Sequence, residues 1–183
     1  MDIDDVIRRI GKGEKQAFAE IVMQYQQPIF GFLGRMSLSQ AQAQEIAQEA
    51  FIRAWRHLDD YQSTKAAFST WLFTIARNLA LNELTRARSQ NEFSSGEELP
   101  DMASEAPEPM QVLCIKQQHL QLQAALRELT MQDRSVIGLA YVDELSMADM
   151  AKIEGCSVEA VKTRLHRAKE KLRKLMEKTY AKP

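Results

Sequence analysis

Residues 89–111 hold no Lys or Arg and six acids: Glu92, Glu97, Glu98, Asp101, Glu105 and Glu108. Gly96, Pro100, Pro107 and Pro109 fall in the same stretch with Ser94, Ser95 and Ser104, and apolar periodicity vanishes there. Such a segment repels itself and has too little apolar surface to offset the entropy of ordering, so it reads as an acidic flexible linker. It divides the 183 residues into a first part, 1–88, and a second, 112–183. Each is the size of a small domain with its own core.

Outside the linker the chain reads as helix. Ala, Leu, Gln, Glu, Lys and Arg dominate, and β-branched alternation is nowhere sustained. The spacing predicts helices near 4–10, 14–36, 40–58, 68–88, 110–129, 132–141, 147–154 and 158–177, with Pro28 bending the second. The fold class is therefore all-α. The net charge of −1 conceals an asymmetry: residues 157–183 carry nine basic and three acidic side chains, a surplus of six positive charges. No apolar run approaches the ~20 residues of a membrane span, and the start MDIDDVIRR is acidic where a signal peptide is basic and then apolar. Cys114 and Cys156, 42 positions apart, make neither a disulfide framework nor a zinc site, so the chain reads as reduced and cytoplasmic.

The most specific local signal runs from Leu145 to Leu172, LSMADMAKIEGCSVEAVKTRLHRAKEKL. Ser146 and Asp149 have the spacing of a capping box, which starts a helix at Met147. Gly155 suits the left-handed conformation that ends it, and Ser157 caps the next helix two residues later. Two helices joined so tightly make a helix-turn-helix. In the second, Val158, Val161, Leu165, Ala168, Leu172 and Leu175 form one apolar stripe. Glu159, Lys162, Thr163, His166, Arg167, Glu170 and Arg173 occupy the opposite arc, where donor-rich side chains can read base edges and grip phosphates in a major groove. A solvated basic surface or short coiled coil would show the same stripe, but would leave the preceding turn without a reason.

The helix over 68–88 has two faces. Phe68, Leu72, Ile75, Ala76 and Leu79 follow helical spacing and read as core. Trp71, Thr74, Asn78 and Thr85 form another stripe with Asn82 beside it, and Arg77, Arg86 and Arg88 flank it. An indole beside amides suits unpaired nucleotides, the ring by stacking and the amides by paired donors and acceptors; flanking arginines suit phosphates. From pattern alone a helical aromatic is more often core, so both readings of Trp71 stand. The helix over 40–58 is amphipathic, with Ile46, Ala50, Trp55 and Leu58 as inward or interface positions.

These segments resemble a known family. LRELTMQDRSVIGLAYVDELSMADMAKIEGCSVEAVKTRLHRAKEKLRKLM resembles region 4 of bacterial sigma factors. AQEIAQEAFIRAWRHLDDY and FSTWLFTIARNLALNELTRARS resemble region 2. Order and linker match the small extracytoplasmic-function (ECF) group of the sigma-70 family. The resemblance implies that the chain binds core RNA polymerase, directs it to promoters and helps open DNA, often in stress responses. It implies that Lys162, Thr163, Arg164, His166 and Arg167 read the minus-thirty-five element, and that Asn78 meets an extruded base of the minus-ten element. Tyr61, Ser63, Thr64, Lys65 and Trp71 would complete that base pocket. Gln48, Glu49, Phe51, Arg53 and Trp55 would dock on the clamp helices of the largest polymerase subunit, and the second domain on the polymerase flap. It also implies an anti-sigma factor that covers the polymerase-binding faces.

No metal-ligand spacing, Gly-rich phosphate loop, nucleophile elbow or HExxH is present, so neither a cofactor, a metal site nor an enzymatic activity is expected. Melting needs none of these, because stacking worth ~1–3 kcal/mol per base offsets the few kcal/mol of unstacking. Two other classes remain open at this point: a dimeric helix-turn-helix regulator acting on duplex DNA, and a helical protein-interaction module.

Overall fold

The computed structural model describes residues 2–93, 111–142 and 145–180, without side chains at 90–93, 111–117 and 179–180. Its α-helices are α1 Ile3–Gly11, α2 Phe18–Arg35, α3 Gln40–Arg56, α4 Phe68–Phe93, α5 Gln111–Arg127, α6 Met131–Ala140, α7 Met147–Glu154 and α8 Val158–Tyr180. Short 3₁₀ turns at Lys15–Ala17 and Leu58–Asp60 adjoin α2 and α3, and no strand occurs among the described residues. Helix α4 runs five residues past the expected end at 88, and α5 starts on the last residue of the stretch read as linker. Residues 94–110, the rest of that stretch, lie outside the described residues.

Capping chemistry explains several boundaries. The Asp2 carboxylate accepts from the amides of Asp4 and Asp5 at the start of α1, whose first turn is acidic and last turn basic, as the helix dipole favours. Ser39 and Gln42 form a reciprocal capping box on α3. Ser146 and Asp149 do the same for α7, which ends at Gly155 with φ +66°. The Ser157 hydroxyl then accepts from the Ala160 amide at 3.1 Å, so the predicted helix-turn-helix forms as read. Pro28 lies inside α2, which continues unbroken on both sides of it.

The first four helices pack into one bundle. Ala43, Ala47, Ala50 and Ala54 keep one face of α3 small, so it can lie close against α2 and α4. Ile21, Ile29, Phe32 and Leu33 of α2 meet Leu72, Phe73 and Ala76 of α4, all fully buried, with Phe32 edge-on to Phe73 at 5.7 Å. In the second part Val161, Leu165 and Ala168 of α8 close over α6 and α7. Arg9 anchors α1 by pairing with Glu14 and Glu20.

The two cores are not separate. The buried residues of both parts form one continuous cluster, because α6 packs on α2 and α7 packs on α4. Two carbonyls at the C-terminal end of α2 accept side-chain hydrogen bonds from the other part. Arg134 donates to the Met36 carbonyl at 2.9 Å and Gln123 to the Gly34 carbonyl at 3.3 Å. Arg35 of α2 and Lys169 of α8 both lie over the Tyr141 ring, 5.5 and 5.8 Å from its centre.

Replacing Gly155 with Ala forces a Cβ into the left-handed region at the helix-turn-helix corner. It should cost roughly 1–2 kcal/mol in a urea titration, although nothing nearby would clash with the new methyl.

Candidate nucleic-acid interface

Helix α4 carries two stripes offset by about one residue. One, Thr70 and Arg77, bonds to Asp149 and Glu154 of α7. The other, Trp71, Thr74 and Asn78, faces outward. Asn78 is exposed, and Trp71 is half-buried against Tyr61 and Phe68, each ring 5.5 Å away. Tyr61 in turn packs on Phe68 at 5.3 Å, so the indole is held on its inner side by aromatic rings and open on its outer side. Burial, with Asp4 nearby, raises the Tyr61 phenol above its ordinary pKa, keeping it a neutral donor at neutral pH. Ser63, Thr64 and Lys65 are exposed on the loop beside this platform. Thr74 and Thr85 spend their hydroxyls on the carbonyls of Thr70 and Leu81. The surface offers an aromatic face, a free-standing carboxamide and short polar side chains, a chemistry suited to an unstacked base.

The second surface is α8. Lys162, Thr163, His166 and Arg167 are exposed along one side, while Val161, Leu165 and Ala168 are buried on the other. Arg164 differs from its neighbours: it turns inward, and its guanidinium lies 3.3 Å from Glu154. A small concavity between the start of α6 and α8 is walled by Asp133, Thr163, Arg164 and Arg167.

Glu154, the last residue of α7, is the most enclosed charge described. Its side chain has no exposed surface. Arg77 of α4 donates to both carboxylate oxygens, at 2.8 and 3.0 Å, and also reaches Ser135 Oγ at 3.2 Å. Ser135 and Arg164 donate to the same carboxylate. Arg77, expected to flank the base platform and hold phosphate, is therefore committed elsewhere: its guanidinium is 12% exposed and forked onto a carboxylate. Nearby, Thr70 donates to Asp149 at 2.9 Å. Burial opposes ionisation of Asp149, but hydrogen bonds from Ser146 and Thr70 outweigh it, and the carboxyl stays below its ordinary range.

A third surface is an apolar groove between α2 and α3, lined by Phe18, Val22, Phe30, Phe51, Ile52 and Trp55, with Gln48 at its edge. Trp55, 37% exposed, stands edge-on to Phe18 at 5.1 Å. Of the residues expected to dock polymerase, Gln48, Phe51 and Trp55 line this groove. Glu49 and Arg53 pair with each other at 2.6 Å outside it.

Residues 21–90 match the family model of sigma-70 region 2, and residues 119–172 match that of sigma-70, region 4. The chain is 34% identical over 181 residues to the ECF RNA polymerase sigma factor SigW of Bacillus subtilis, covering 95% of this chain and 96% of that one. It belongs to the ECF group of the sigma-70 family. The ECF sigma-E factor of Escherichia coli K12 is 30% identical over 176 residues, covering 90% of this chain and 89% of its own. The fold is shared with the sigma factor RpoE of Bartonella quintana, solved with the anti-sigma factor NepR. There the TM-score is 0.69 at 22% identity, covering 87% of this chain and 96% of that one.

In this ECF factor Trp71, Thr74 and Asn78 and the groove residues other than Phe18 lie within the region 2 match, and the exposed α8 stripe lies within the region 4 match. Sequence reasoning missed Glu154 and its link to Arg77. The signal was present: Met150, Ala151 and Glu154 share one face of α7, and Phe73, Ala76, Arg77 and Ala80 share one face of α4. Each apolar stripe thus carries one opposite charge.

Glu154→Ala would leave two guanidiniums facing an empty pocket and should destabilise the folded chain by ~3 kcal/mol in chemical denaturation. Asp149 supplies the pH dependence. Its folded pKa lies below its unfolded one, so its contribution is complete above the unfolded value, near ~3.9, and is lost as pH falls through the folded value. The mid-point of acid unfolding should move upward in Thr70→Val, which removes one of the hydrogen bonds that hold the carboxylate ionised.

Proposed function

We propose that this sigma factor uses its two exposed polar helix faces on the two elements of a promoter. Residues 1–88 serve as the core-binding and minus-ten domain, and residues 112–183 as the minus-thirty-five domain. On α4, Asn78 receives an extruded minus-ten base, Trp71 and Tyr61 supply the stacking wall, and Ser63, Thr64 and Lys65 close the pocket from the loop. On α8, Lys162, Thr163, His166 and Arg167 enter the major groove, while Arg164 acts from behind by stiffening the turn through Glu154. The groove of Phe51, Trp55 and Gln48 takes apolar anchors of a polymerase helix.

One observation carries this reading: polar faces suited to an unpaired base and to a duplex groove stand open on two different helices of one chain. A dimeric duplex-binding regulator would use α8 alone and leave the α4 platform without a purpose. Regulation by an anti-sigma factor is supported by the RpoE relative, solved with NepR. The groove is the kind of surface such an inhibitor would cover. The factor is read as cytoplasmic, and no described helix is long and apolar enough to cross a membrane.

Purified core polymerase should start run-off transcripts at a defined promoter only when this protein is added. In that assay Asn78→Ala should lower discrimination at one minus-ten position while leaving core binding intact; equal loss for all four bases there would exclude base capture. Arg167→Ala should weaken upstream-element binding by ~1–3 kcal/mol if it contacts a base. If it contacts a phosphate, it should instead reduce the salt slope by about one.

A further inference from the structure

We infer that the turn after α2, together with Arg134 of α6 and Lys169 of α8, forms a binding site for a small phosphate-class oxyanion. The inference goes beyond the promoter reading and does not depend on it. It starts from a contrast among the arginines. Five of those described are half-buried: Arg9, Arg35, Arg77, Arg134 and Arg164. Three of them meet carboxylates, Arg9 those of Glu14 and Glu20, and Arg77 and Arg164 that of Glu154. Arg35 and Arg134 meet none among the described residues, and the Nε of each is buried without a hydrogen-bond partner.

These two are neighbours. Arg134 donates Nη1 to the Met36 carbonyl at 2.9 Å, and Met36 stands between Arg35 and Ser37. The Ser37 hydroxyl is a third buried group without a partner. Ser37 is also the only described non-glycine residue with a positive φ, +61°, a strained conformation of the kind that collects at ligand sites. Lys169 shares the exposed Tyr141 ring with Arg35, which brings another cation to the same place. Burial lowers the pKa of both half-buried arginines, and the nearby Arg127 lowers that of Arg134 further, so like charge gathers here without compensation.

Such a cluster is costly until a counter-charge enters it. Its donors suit an oxyanion with several oxygens. With Nη1 engaged, Arg134 keeps its Nε–Nη2 edge, the side of a guanidinium that grips two oxygens of one phosphate. Arg35, Ser37 and Lys169 offer further donors from two other elements, more than a single-atom anion such as chloride can use.

The test is calorimetric titration of the full chain with inorganic phosphate, and separately with a nucleoside triphosphate, at fixed ionic strength in chloride. Inorganic phosphate should bind saturably at one site with half-saturation at about 1 mM or below, and ~10 mM phosphate should raise the unfolding midpoint by about 3 °C. Arg35→Gln and Arg134→Gln should each weaken binding about tenfold. Ser37→Gly removes the hydroxyl and relieves the positive φ. It should therefore raise the midpoint without phosphate and still bind phosphate less tightly, a loss that unfolding cannot produce. Tighter binding of the triphosphate assigns the site to the phosphoryl group of a larger molecule, and equal or weaker binding assigns it to the free ion. Absence of saturation with both overturns the inference. So does stabilisation that grows without saturating and persists in Arg35→Gln, the general effect of a kosmotropic salt. Asp143 and Glu144 follow shortly after Tyr141 in the sequence. Phosphate binding that emerges only in the double variant Asp143→Asn, Glu144→Gln would also overturn it, because the chain's own carboxylates would then be the counter-charge.

Discussion

The structure depends on one enclosed carboxylate. Glu154 closes the first helix of the helix-turn-helix, and burying its charge is tolerable only because Arg77, Arg164 and Ser135 all donate to it. Arg164 ties α8 to α7. Arg77 ties both to the helix that carries the base platform. A single side chain thus fixes the orientation of α8 within its own part and couples that part to the other half of the chain. A hydrophobic residue of similar volume could fill the space, but it would not set the register between three helices as a bidentate ion pair does.

Around that anchor the three surfaces proposed to bind partners have different characters. The base platform is aromatic with isolated polar groups and is supported from below by Tyr61 and Phe68. The α8 stripe is cationic and long-limbed, suited to a groove lined with phosphates. The α2–α3 groove is almost wholly apolar and is rimmed by Gln48. In the proposed reading each surface takes a different partner: an unpaired base, duplex DNA and an apolar protein helix.

Much of the fold was legible beforehand because it is set by local chemistry. The capping box of Ser146 and Asp149, the left-handed Gly155 and the apolar stripe of α8 each act over a few residues, and each is found in the structure. The exposure of Asn78, Lys162, Thr163, His166 and Arg167 was legible for the same reason, since helical spacing alone puts them opposite the core. Trp71 was not decided by spacing, because a half-buried position satisfies both the core and the platform pattern. Helix α4 overran its expected end because a like-charged, breaker-rich composition marks where a core stops, whereas a helix already nucleated propagates beyond it.

By itself the sequence determined the helices, their caps, the division of charge and which side of each helix is apolar, since all of these follow from residues close together in the chain. Only the tertiary structure decided that Arg77 serves Glu154 rather than phosphate, that Arg164 turns inward, and that Gly138 lies against Phe32. Those pairings join residues 77, 10 and 106 positions apart. No local spacing specifies which of many arginines meets a buried acid; that choice is made when the helices pack and the unpaired charge takes the nearest geometry that satisfies it.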